Sequence, residues 1–108
     1  MFTEKGTLPN GVEYEGVTHR AFEIRKQIVA DTVNIFDDPA RAARAEKNKL
    51  YAELCITANM LLSLGTIPKE EITGDLLMGM DQEDQNEISA AEVRLALQSA
   101  TFRKEKER

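Results

Sequence analysis

The chain has 108 residues, 42% of them hydrophobic, which gives room for one domain with a real core and too much apolar content for wholesale disorder. Its 19 acidic and 14 basic residues leave a net charge of −5, which argues against nucleic acid as the main partner, because phosphate binding needs clustered Lys and Arg. A single cysteine, Cys55, excludes an internal disulfide framework, and no stretch approaches the ~20 apolar residues of a membrane span. Met1 to Lys5 lack the charged-then-apolar pattern of a signal peptide, so a reducing cytoplasm is the expected setting.

The first quarter reads as strand. Val12 and Tyr14 alternate with Glu13 and Glu15, and Arg20, Phe22 and Ile24 alternate with Ala21 and Glu23, a period of two. Pro9-Asn10-Gly11 and Glu15-Gly16 are turn signals. The pattern predicts a hairpin within residues 6–25, with strands near 7–14 and 18–24 closed around Gly16. Isolated hairpins are marginal in water, so this one must rest on helices.

From Lys26 the period becomes helical. Ile28, Val29, Thr32, Val33 and Phe36 share one side of a short amphipathic element that stops at Asp37-Asp38-Pro39. Asp38 suits an N-cap with Pro39 at the first helical position, and the second helix is expected to run from Pro39 to Leu64, ending on a left-handed Gly65. After Thr66-Ile67-Pro68 come an acidic turn (Lys69-Glu70-Glu71) and the run Leu76, Leu77, Met78 and Met80. A final helix over 82–103 follows, with Asp81 or Asp84 as caps, then a frayed basic tail at 104–108. The expected fold is a single α+β domain, mostly α: an N-terminal β-hairpin, then three to four helices over 26–103 and no further strand.

Two helices carry more apolar faces than one core can use. Tyr51, Leu54, Cys55, Ala58, Leu61 and Leu62 form one stripe of the second helix, while Ile56, Met60 and Leu64 form another on the opposite side. On the last helix Ile88, Ala91, Leu95 and Phe102 make one stripe, and Val93, Leu97 and Ala100 line a second. Either the hairpin and the short helix cover both second faces, or the faces meet a partner or another copy of the chain. The candidate partner-binding residues are therefore Ile56, Met60, Leu64, Val93 and Leu97. They are expected to be partly exposed in the protomer, with Met60, Met78 and Met80 suited to an adaptable groove.

Motifs for catalysis or cofactors are lacking. His19 is the one histidine, and Cys55 sits within an apolar stripe, so a zinc site or a Cys–His pair has no supporting residues. No P-loop, G-x-G-x-x-G or G-x-S-x-G occurs, and the chain is expected not to be an enzyme and to need no cofactor. Asp81 to Glu92 (DQEDQNEISAAE) approaches the EF-hand calcium loop at its first, eighth, ninth and twelfth positions. Glu83, Gln85 and Asn86 spoil the third, fifth and sixth. A capped helix start accounts for the same residues, with Glu87 completing a capping box on Asp84.

The order of these segments resembles a family. Thr7-Leu8-Pro9-Asn10-Gly11-Val12-Glu13-Tyr14-Glu15-Gly16 is followed by Phe22-Glu23-Ile24-Arg25. Leu61-Leu62-Ser63-Leu64-Gly65-Thr66-Ile67-Pro68, Ile72-Thr73-Gly74-Asp75-Leu76-Leu77 and Asp81-x-x-Asp84-x-x-x-Ile88 come next. Over roughly residues 6–100 this is similar to the small tail assembly chaperones of Mu-like tailed phages and prophages. The resemblance implies a non-catalytic factor of the bacterial host cytoplasm that binds the tape measure protein, keeps it in solution until tail tube subunits assemble around it, and is absent from the finished virion. Many members of that family are also made in a longer, frameshifted form. Two other readings of the residues stay open: a degenerate EF-hand-like module that binds a target helix, and a homo-oligomeric structural subunit of a phage particle.

Overall fold

The period-two stretch forms a hairpin in the computed structural model, which describes residues 2–106: β1 (Thr3–Tyr14) pairs antiparallel with β2 (Val17–Arg25). The turn residues Glu15 and Gly16 both have positive φ, 50° and 78°, the requirement of the two-residue turn that matches strand twist. Within β1 the register slips: Thr7 faces Ala21 and Val12 faces His19, so Leu8 to Gly11 bulge opposite Arg20 alone. Pro9-Asn10-Gly11, expected as a turn, is this bulge, and an edge strand tolerates its proline. Arg20 ties it down by donating from Nε to the Leu8 carbonyl at 2.8 Å.

The second half corrects two expectations. The helix expected over 39–64 breaks at Asn48 into α2 (Pro39–Lys47) and α3 (Lys49–Met60). Asn48 is extended and its Oδ1 accepts the Tyr51 N–H at 3.2 Å, so the asparagine starts a new helix rather than continuing the old one. Asp38 caps α2 as expected, accepting the Arg41 N–H at 2.9 Å. Beyond Met60 the chain turns extended, and Leu61–Leu64 form β3, antiparallel to β2, giving a three-stranded sheet in the order β1-β2-β3. A two-stranded hairpin followed only by helices is therefore overturned. The physical reason is that the free edge of β2 takes a partner while Leu61 and Leu64 become fully buried. Lys69 replaces the glycine cap expected at the helix end: its Nζ donates to the carbonyls of Ala58 at 2.9 Å and Asn59 at 3.3 Å, and to that of Leu61. Gly65 is left-handed as expected (φ +56°), but it ends a strand, and a Cβ there would lie 2.1 Å from His19 Nδ1.

The remaining elements pack on α3 or on the sheet. Ala30–Val33 form a single turn, α1, continued by a 3-10 turn over Asn34–Asp37. α4 (Gly74–Leu77) approaches α3 so closely that a Cβ on Gly74 would sit 2.7 Å from Cys55 Sγ. α5 (Gln82–Lys106) lies along β1 and sends Ile88, Ala91 and Leu95 into a core shared with Leu8, Phe22, Ile24, Leu61, Leu64 and Leu77. Each buried Leu or Ile among them contributes about 1.5–3 kcal/mol by leaving water. α5 continues through Lys104 to Lys106, where a frayed tail was expected; Glu107 and Arg108 lie outside the described residues. The architecture is α+β, mostly helical, with the hairpin at the N-terminal end.

Candidate functional site

The five residues expected to be exposed divide. Val93 and Leu97 on α5 are 60% and 64% exposed, as a partner-facing stripe requires. Ile56 is half-buried, packed against both hydrophobic clusters. Met60 and Leu64 are core residues, 6% and 0% exposed, which overturns their assignment to an outward face. The cause is β3: once the helix ends at Met60, Leu64 no longer follows helical spacing and its side chain faces inward from the sheet. Of the methionines grouped with them, Met78 is half exposed, with Arg44 donating to its Sδ at 3.3 Å.

A second outward apolar surface lies on the short amphipathic segment after β2. Ile28, Val29, Val33 and Phe36 are 53%, 81%, 56% and 50% exposed, while Asp31 and Ile35 of the same segment point inward. A polar network sets this rotation. The Asp31 carboxylate accepts two bonds from the Arg25 guanidinium, at 2.7 and 2.9 Å, and one from the Ile28 N–H at 2.8 Å. Arg25 and the Asn59 side chain then fasten the segment to the end of α3, through the Asn59 carbonyl at 3.0 Å and the Asp31 carbonyl at 2.8 Å. Burial alone would raise the Asp31 pKa, but the guanidinium and the Ile28 N–H outweigh it and hold the carboxyl below its ordinary value. The apolar side chains are left outside, with Lys26, Asp37 and Asp38 exposed at the segment's ends.

A cleft of about 470 Å³ opens between α2, α3 and α4, and its two arginines are engaged within the protomer. Arg41 donates to the carbonyls of Ile35 and Asn34, at 3.0 and 2.7 Å. Arg44 meets Asp75 at 3.2 Å and lies 4.3 Å from the Tyr51 ring centroid. Burial pushes the Cys55 thiol up, and burial together with the Cys55 contact pushes Tyr51 up to about 12, so neither side chain is an activated nucleophile. His19 is buried, and its Nδ1 accepts the Thr66 N–H at 3.2 Å.

The calcium-loop resemblance dissolves into a helix. Gln82 onward is α5, and Asp81 Oδ1 accepts the Glu83 N–H at 3.2 Å as an N-terminal cap. Among the described residues no three His, Cys, Asp or Glu side chains are grouped to hold a metal ion, and no helix is long and apolar enough to cross a membrane. Asp84, also weighed as a cap, instead turns inward, fully buried, and accepts the N–H groups of Asn10 and Gly11 at 2.8 and 2.9 Å. Sequence reasoning missed this bond: Pro9-Asn10-Gly11 read as a turn, and only the bulge that it forms leaves two N–H groups in need of an acceptor. No protein-family model, curated protein or solved structure matches the chain.

Proposed function

We propose that this chain is a non-catalytic assembly factor that binds an aggregation-prone protein during phage tail assembly, with the tape measure protein as its client. The observation that carries the reading is the outward segment of Ile28, Val29, Val33 and Phe36. Scattered surface apolars are ordinary, but four within nine residues, each at least half exposed and held outward by a buried ion pair, make a surface suited to docking. Val29, Val33 and Phe36 follow spacings of four and three residues, so they line successive turns and fit alongside an apolar stripe of a client helix. The choice of client rests on the resemblance of the motif order across residues 6–100 to the tail assembly chaperones. Co-expression with a candidate tape measure protein tests it: the client is expected to stay in solution and to co-purify. A client that remains insoluble, or this chain retained as a component of purified virions, would contradict the reading, and the second result would favour a structural subunit.

A further inference from the structure

The outer face of α5 carries a pattern that the core does not use. Asn86, Ala90, Val93, Leu97, Ala100 and Lys104 follow one another at intervals of four, three, four, three and four residues, the spacing of a coiled-coil seam. The face lies opposite buried Ile88, Ala91 and Leu95, with Val93 and Leu97 well exposed. Its two ends differ in charge: Glu83 and Glu87 lie near the start, Arg103, Lys104 and Lys106 in the last turn.

The pattern is also symmetric. Val93 and Leu97, Ala90 and Ala100, and Asn86 and Lys104 are each equidistant in sequence from Leu95. A two-fold axis passing the seam at the level of Leu95 therefore sets Val93 of one copy against Leu97 of the other, brackets these layers with alanines that allow close approach, and lays the acidic start of one helix beside the basic end of the other. Parallel pairing would instead align acid with acid and base with base. Arg94 recurs near the axis, but its charge is met within the protomer by Glu4 at 2.7 Å and Glu87 at 3.8 Å.

We propose that α5 pairs antiparallel with α5 of a second copy of this chain, centred at Leu95, through Val93 and Leu97. This surface is separate from the 28–36 segment, so the pairing stands or falls independently of the client. Four large side chains and four alanines make less than a standard interface of roughly 1,600 Å², so the dimer is weak, with a Kd on the order of 100 µM.

Sedimentation of the full chain from about 10 µM to about 1 mM should follow a monomer–dimer equilibrium across that Kd, and added salt should weaken it. Leu97→Glu, on an exposed position, should keep the helical spectrum and unfolding midpoint and raise the Kd at least tenfold. For the register, Ala90→Cys and Ala100→Cys chains, with buried Cys55 left in place, should each fail to form disulfide dimers alone and form them when mixed. A monomer at the highest concentration, a Leu97→Glu dimer as tight as the parent, or cross-linking of Ala90→Cys alone would each overturn the proposal.

Discussion

Asp84 Oδ2 accepts the Gly11 N–H at 2.9 Å across 73 residues of sequence, and Oδ1 accepts the neighbouring Asn10 N–H at 2.8 Å. The first turn of α5 is thereby fixed to the bulge of β1. The carboxylate is fully buried, and both bonds come from backbone donors. Asp84→Ala leaves those donors unpaired. With each charge-assisted bond contributing about 1.5–3 kcal/mol, chemical denaturation should show a loss of at least one such increment. A change within experimental error would mean that the bulge and the helix are held by the apolar core alone.

Met60 and Leu97 were expected to lie on equivalent second faces, and the fold separates them. Met60→Asp places a charge in the core, a cost of several kcal/mol against a total stability of about 5–15 kcal/mol, and should abolish cooperative unfolding. Leu97→Asp should change stability by less than about 0.5 kcal/mol. Circular dichroism melts of the two variants separate the cases. Similar melting of both would contradict the assignment of β3 and the burial that follows from it.

How far the sequence reveals the fold follows from which force decides each segment. The hairpin, the Asp38 cap and the core face of α5 are local or strongly periodic, so the residues alone announce them. β3 is not local. Leu61-Leu62-Ser63-Leu64 suits a helix as well as a strand, and the free edge of β2, nearly forty residues earlier in the chain, decides between them. The rotation of residues 28–36 was hidden for a similar reason: the Arg25–Asp31 pair overrides an apolar stripe that reads as buried. Of the candidate site, Val93 and Leu97 were therefore legible and the 28–36 surface was not.

The same ion pair sets an acid limit. The folded Asp31 pKa lies below its ordinary value of 3.8, so the unfolded chain binds more protons in acid. The pair's contribution is fully present above the unfolded pKa and is lost as pH falls through the lower folded one. Glu92 works in the opposite sense. Burial raises its pKa, so its contribution is present below its unfolded value and lost as pH rises through the folded one. Asp31→Asn should cost about 3–5 kcal/mol at neutral pH, because it strands the Arg25 charge at a largely buried site. It should also flatten the fall in stability below about pH 4. Denaturation series at several pH values check both, and an unchanged acid slope would show that Asp31 is not the group responsible.

Calcium should have no effect on melting. Residues 82–92 are consecutive turns of α5, which spread the would-be ligands around the helix, and Asp84 is committed to β1. Tight binding raises the melting temperature by mass action, so a shift of several degrees in millimolar calcium would revive the regulatory reading.

The central claim, that the outward 28–36 segment is the client-binding surface, is tested most directly by Val29→Ser, Val33→Ser and Phe36→Ser combined. These side chains are at least half exposed, so the triple variant should retain its helical spectrum and cooperative unfolding. In co-expression with the tape measure protein, the account predicts that the folded variant leaves the client insoluble while the parent chain keeps it in solution. A folded triple variant that holds the client in solution as well as the parent would contradict it.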